Sequence, residues 1–224
     1  DGYDWVEPAT PLAAGHAVDF IVATCLAAED GSITLCPLGP MTNIAQAIVQ
    51  APEILPKLRE IAFMGGAALG PGNVTPSAEF NVYTDPHAAQ IVLSSGVPLI
   101  MFGLDVTHQA ITTPARRDAI RAVDSPVTDA VSGMLRFYDR HDIDRYGMPG
   151  GPLHDPCVIA YLLRPELFDG KECHVAVETV SDLTMGRTVA DWWGVGGETP
   201  NCRVINRIDA DGFYALIVER LARL

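Results

Sequence analysis

Ser32-Ile33-Thr34-Leu35-Cys36-Pro37-Leu38-Gly39-Pro40-Met41-Thr42-Asn43-Ile44-Ala45-Gln46-Ala47-Ile48-Val49-Gln50 holds the architecture in miniature. The run from Ser32 to Leu38 is apolar and breaks at Gly39-Pro40, as a buried strand does when it ends in a turn. Thr42 to Gln50 is apolar at helical spacing, with Asn43 near its start. The alternation continues outward from here. Ala17 to Ala28 reads as a helix upstream. Arg59 to Met64 reads as a second strand, stopped by Gly65-Gly66, and a loop rich in Gly and Pro runs from Ala67 to Ser77. Asp85-Pro86 opens a helix to Ser95, with Asp as N-cap and Pro at the first helical position. Gly96 ends it, and Val97 to Phe102 is a third strand. Strands joined through helices by short loops predict parallel pairing with crossover connections.

The rest of the chain is less regular. Helices are expected from Pro114, from Pro126 to about His141, and from Asp155-Pro156 to about Leu163, with a turn cluster at Gly147 to Pro152. Cys173 to Val180, Leu183 to Ala190 and Cys202 to Ile208 show strand patterning, and Asp211 to Leu224 closes as an amphipathic helix. No repeat or low-complexity linker interrupts the sequence. The expectation is one α/β domain spanning 1–224, a mostly parallel open sheet flanked by helices.

Composition narrows the function. The 224 residues are 48% hydrophobic and 19% charged, enough to bury a core and too apolar for general disorder. The net charge is −13. Such a surface repels phosphate backbones and anionic lipid, so neither nucleic acid nor a membrane is an expected partner. It suits a cation site or a neutral polar substrate. The five cysteines are odd in number and lack C-x-x-C spacing, which argues against a disulfide framework or structural zinc and fits buried thiols in a reducing cytoplasm. The longest apolar run, Phe20 to Ala28, is too short to span a bilayer, and no signal peptide is visible. Asp1-Gly2-Tyr3-Asp4-Trp5 reads like the middle of a loop.

Common nucleotide and hydrolase motifs do not fit. Gly70-Pro71-Gly72 is followed by Thr75 where a third glycine is needed, and G-x-x-x-x-G-K-[ST], G-x-S-x-G and H-E-x-x-H are absent. Three segments carry chemistry instead. Asn73 with Ala78-Glu79-Phe80-Asn81 places two amides and a carboxylate beyond a strand end, where open α/β sheets bind ligands. These groups can bind several hydroxyls, or the asparagines can simply shape turns. In Pro152-Leu153-His154-Asp155-Pro156, Asp155 is either a plain N-cap or a cation ligand, with His154 beside it as a proton donor. In Leu35 to Asn43, the break at Gly39-Pro40 leaves carbonyls that suit a hard cation or belong to an ordinary turn.

Together these segments resemble the nucleoside hydrolases of the inosine–uridine-preferring family. The matching stretches are Leu38-Gly39-Pro40-Met41-Thr42-Asn43-Ile44-Ala45, Phe63-Met64-Gly65-Gly66, Gly72-Asn73-Val74-Thr75-Pro76, Ala78-Glu79-Phe80-Asn81, Gly103-Leu104-Asp105-Val106-Thr107-His108-Gln109 and His154-Asp155-Pro156. The resemblance implies hydrolysis of the N-glycosidic bond of ribonucleosides, one calcium ion (Ca2+) beneath a ribose pocket, and a homodimer or homotetramer. It implies that Asp155 and the Leu38 carbonyl are calcium ligands, Asp155 also meeting the ribose. Met64, Asn73, Glu79 and Asn81 resemble the ribose-binding residues, and His154 the acid that protonates the leaving base. A histidine there points to the less base-restricted or pyrimidine-leaning branch. Tyr146 lies where pyrimidine-leaning members carry a base-side tyrosine, while Asp142 departs from their glutamine.

The family's D-T-D-x-G-x-D-D motif, which brings two calcium carboxylates and the base that activates water, does not occur in these residues. The expectation is that they form the carboxyl-terminal majority of a longer chain. A ribose or nucleoside binder without turnover, or a scaffold retaining the fold, is the competing reading.

Overall fold

A computed structural model describes residues 9–224, except the side chains of residues 141, 142, 145 and 146. The strands are β1 (Ile33–Leu35), β2 (Leu58–Met64), β3 (Leu99–Phe102), β4 (Phe168–Cys173), β5 (Val175–Val177), β6 (Thr188–Ala190) and β7 (Cys202–Ile208). The helices are α1 (Ala17–Leu26), α2 (Thr42–Gln50), α3 (Phe80–Thr84), α4 (Pro86–Leu93), α5 (Leu104–Thr107), α6 (Pro114–Arg121), α7 (Pro126–Tyr146), α8 (Pro156–Leu163) and α9 (Ala210–Leu221). The chain divides into two compact units.

The larger unit, residues 14–106 and 169–207, carries the main sheet in the order β1-β2-β3-β7-β4. The β1–β2, β2–β3 and β3–β7 pairs are all parallel, as the alternation predicts. All of β3 is buried, as is the second half of β2 from Ile61 to Met64, with neither showing in–out alternation. That is the pattern of parallel strands covered on both faces. The core joins Ile61, Phe63, Met101 and Val204 to Ile44 and Ile48 of α2 and Val92 of α4. Asp85 caps α4 as expected, its Oδ1 accepting from Ala88 N at 3.0 Å. Its other oxygen accepts from the Thr42 hydroxyl at 2.7 Å and ties α4 to the start of α2.

The largest departures from the sequence expectation lie beyond residue 167. β4 falls on Phe-Asp-Gly-Lys-Glu-Cys, whose polar middle gives no strand signal. Gly170 sits so close to β7 that a Cβ there would lie 2.4 Å from the Val204 carbonyl oxygen. The expected strands Cys173 to Val180 and Leu183 to Ala190 contract to β5 and β6, an antiparallel pair. Between them Glu178 folds the chain back by accepting from Val180 N at 2.8 Å and Ser181 N at 3.1 Å, so local side-chain bonding displaces the ladder.

The smaller unit holds residues 107–168 and 208–224, with the described part of the opening segment. It is built from α6, α7, α8 and α9. Phe213 of α9 is fully buried, its ring edge-on to Phe168 and Tyr214. No helix among the described residues is long and apolar enough to cross a membrane. All five cysteines are free, and four are buried.

Candidate active site

The larger unit gathers five of the expected residues at the carboxyl end of β2. Met64 ends the strand, its N–H donating to Pro37 O at 3.0 Å, which brings the chain beside Leu38. Asn81 Nδ2 donates to Met64 O at 3.1 Å, touches Met64 Sδ at 3.3 Å, and lies 3.4 Å from Leu38 O. Its NH2 is thus turned to these protein acceptors. Asn73 Oδ1 accepts from Phe80 N at 3.0 Å, fixing the loop against the start of α3.

Glu79 is the centre of this group and is 2% exposed. Its Oε1 accepts from Asn81 N at 2.9 Å, and its Oε2 from Gly66 N at 2.9 Å and Val82 N at 3.2 Å. It therefore caps α3, a role that no Ser, Thr, Asp or Asn signal announces. The buried charge is held by backbone amides, which stabilise a carboxylate without neutralising it. A second residue of the cluster is fixed by close approach. A Cβ on Gly66, whose φ is +86°, would lie 2.9 Å from Thr188 Cγ2.

The smaller unit carries the histidine. Its segment before His154 is pinned by an isolated bridge between Ile111 and Pro152, by Thr112 N donating to Gly151 O at 2.8 Å, and by Leu153 N donating to Ala110 O at 2.9 Å. His154 Nδ1 lies 2.7 Å from Thr107 Oγ1, and Thr107 is fully buried. The ring also stands 5.7 Å from that of His108, tilted by 58°. Burial, reinforced by the neighbouring His108, lowers the His154 pKa to about 4. Nothing in the sequence marks Thr107 as a partner of His154, 47 residues away, beyond its place in the stretch Gly103 to Gln109.

Asp155 occupies the N-cap position of α8, but with αR dihedrals and no side-chain bond to the helix. The plain capping role is thus not the one it plays. Burial raises its carboxyl pKa. Tyr146 lies in α7 and its side chain is outside the described residues, as is that of Asp142.

Calcium takes 6–8 oxygen ligands. The Leu38 carbonyl of the larger unit, which lies 3.4 Å from Asn81 Nδ2, and the Asp155 carboxylate of the smaller one are each oxygen donors of the kind calcium takes. Among the described residues, no three His, Cys, Asp or Glu side chains gather as a metal-holding group.

Comparison with known proteins agrees along nearly the whole chain. The family model described as inosine-uridine preferring nucleoside hydrolase matches residues 1–215. Pyrimidine-specific ribonucleoside hydrolase RihA of Shewanella baltica is 44% identical over 222 residues, 99% of this chain and 69% of that protein. Pyrimidine-specific ribonucleoside hydrolase RihB of Escherichia coli is 46% identical over 204 residues, 91% of this chain and 64% of that one. Among solved structures, a purine-preferring ribonucleoside hydrolase from Gardnerella vaginalis superposes with a TM-score of 0.86 at 31% identity, covering 98% of this chain and 70% of the other.

Proposed function

The chain belongs to the inosine–uridine preferring nucleoside hydrolase family, and on that premise we propose that it cleaves the N-glycosidic bond of ribonucleosides, with calcium bound, to give ribose and free base. The observation that carries the reading is the Glu79 cluster, a buried carboxylate flanked by Asn81, Asn73 and Met64 at a strand end.

Breaking the C1′–N bond leaves a ribosyl group with oxocarbenium character and sends the bonding pair to the base. Water adds to C1′ and sheds a proton, while the departing base gains one, so one water is consumed and no net proton. Glu79 and Asn81 bind and orient the sugar, and the buried Glu79 charge favours the cationic transition state over the neutral ground state. His154 is the proposed donor to the departing base; with its pKa lowered to about 4 the ring is uncharged at rest, so it passes on a proton only as it takes another from solvent. The Leu38 carbonyl in the larger unit and Asp155 in the smaller are each proposed as a calcium ligand, and the ion would polarise the ribose diol and the attacking water.

Pyrimidine nucleosides are the proposed preferred substrates. This is supported by His154 and by the names of the two relatives above. The oligomer is proposed to be a homodimer or homotetramer, and the location cytoplasmic. The test is release of free ribose from uridine, cytidine and inosine by the full-length protein. Chelation with EGTA is expected to lower turnover and added calcium to restore it; turnover indifferent to both would overturn the calcium assignment.

The sugar assignment has its own test. Asn81→Ala is expected to lower kcat/KM by roughly 10- to 100-fold, the loss of a hydrogen-bonding group from a desolvated pocket. The loss should be equal on uridine and on p-nitrophenyl riboside, because the ribose is common to both. Unequal losses would assign Asn81 to the base side.

A further inference from the structure

Asn73 is carried by a loop whose Gly70 and Gly72 give it little intrinsic preference for one shape. Two charged side chains from distant parts of the larger unit grip that loop. Asp105 of α5 accepts from Ala68 N at 2.7 Å on Oδ2, and from Leu69 N at 3.0 Å and Gly70 N at 2.7 Å on Oδ1. Three successive amides thus converge on one anion. Arg187, immediately before β6, engages the carbonyls of the same residues. Its Nη2 donates to Ala68 O at 3.0 Å, and its Nη1 to Gly70 O at 2.7 Å with Ser77 O at 3.4 Å. The planar guanidinium presents these donors as a rigid fork. Thr188, next in the chain, accepts from Ala67 N at 2.9 Å.

The anion therefore takes the N–H side of the loop and the cation takes the C=O side. Beyond the gripped residues the chain enters Gly72, where a Cβ would lie 2.1 Å from Ala78 O, and then Asn73. The loop leaves the clamp already closed on itself. Asn73 N, Val74 N and Thr75 N all point at Ala78 O, at 3.1, 3.3 and 3.4 Å.

We propose that Asp105 and Arg187 are positioning residues for substrate binding, clamping the Ala67–Gly72 segment from its two sides so that Asn73 is held where it meets the sugar. This rests on the sugar-binding reading of Asn73. The clamp acts before the substrate arrives, so it lowers the ordering cost of binding and leaves the chemical step alone.

The experiment is steady-state kinetics with uridine on the full-length enzyme and its Asp105→Asn, Arg187→Lys, Asn73→Ala and Asp105→Asn/Asn73→Ala variants. Asp105→Asn sets an NH2 group against amide donors, and Arg187→Lys keeps the charge but loses the fork. Each is expected to raise KM about tenfold with kcat held within about twofold, the pattern of lost uniform binding. Asp105→Asn should add less than about twofold to KM once Asn73 is alanine, because the clamp acts through that side chain. A merely structural role would lower kcat through loss of folded enzyme and leave KM alone, and that result would overturn the clamp. So would a KM effect that persists in full on the Asn73→Ala background. Arg187→Lys carries the test if Asp105→Asn does not fold. An impaired Asn73→Ala with normal Asp105→Asn and Arg187→Lys overturns the clamp alone. A wild-type KM in Asn73→Ala overturns the sugar reading of Asn73 together with the clamp.

Discussion

His154→Ala is expected to slow hydrolysis of uridine and cytidine by about 10²- to 10⁴-fold, the usual worth of proton transfer to a leaving group. The same variant should hydrolyse p-nitrophenyl riboside nearly as fast as the wild type, because that leaving group departs as a stable anion and needs no proton. The argument rests on how narrowly the ring is placed. Thr107 holds Nδ1 at 2.7 Å, which leaves Nε2 as the nitrogen available to a leaving base. The backbone before it is pinned to residues 110–112 at three points. Removing the imidazole subtracts proton delivery and takes away none of the backbone bonds to Glu79. Parallel assays on the two substrates check this. Equal losses on both would make His154 a sugar contact or a packing residue.

The largest stability effect is expected from Arg117→Ala, a loss of about 1.5–3 kcal/mol, as when a hydrogen bond to a buried charged group is removed. Arg117 Nη1 of α6 donates to Asp139 Oδ2 of α7 at 2.8 Å. The two ends are unequally buried, the Asp139 side chain being 4% exposed and that of Arg117 24%. Taking away the guanidinium removes a charge-assisted hydrogen bond from a sequestered carboxylate. Asp139→Asn is expected to cost less, about 1 kcal/mol. Its Oδ1 still accepts from Gly151 N, a 3.0 Å bond in the native protein, and Arg117 retains access to water. Urea denaturation of both variants measures the asymmetry. A larger loss in Asp139→Asn than in Arg117→Ala would reverse the argument. Gly151 also lies three residues before His154, so Arg117→Ala is expected to lower activity along with stability.

The parallel framework was legible because its signals are local and repeated. Thr42 to Gln50 and Cys202 to Ile208 coincide with α2 and β7 to the residue, and Asp85 caps α4 as its position before Pro86 predicts. The elements that escaped are those defined by partners far along the chain. β4 exists because a polar hexapeptide lies against β7, and α3 because Glu79 caps it from a carboxylate also bound to Gly66. For the site, Asn73, Glu79 and Asn81 were visible as two amides and a carboxylate beyond a strand end, and the resemblance joined Met64 to them. The amides that hold the buried Glu79 belong to Gly66, Asn81 and Val82, and backbone donors leave no trace in a sequence. Thr107 and Arg187 were invisible for a similar reason: their partners, His154 and the carbonyls of residues 68 and 70, are remote.

The order of strands in the sheet sets a timetable for assembly. β1, β2 and β3 come from one continuous stretch, but the far edge of β3 pairs with β7, joining Leu99 to Cys202. During synthesis at about 5–20 residues per second, the roughly 100 residues between them take about 5–20 s to appear. For that interval Leu99, Ile100, Met101 and Phe102 have an open hydrogen-bonding edge, all four being buried in the finished protein. An apolar edge strand left waiting is a template for the wrong neighbour. The intervening residues 107–168 belong to the other unit, whose α9 follows β7 in the chain, so that unit too is completed only after β7 has been made. Closing the sheet is then a late, long-range step, and the yield of folded protein depends on how quickly β7 reaches β3 relative to a second nascent chain.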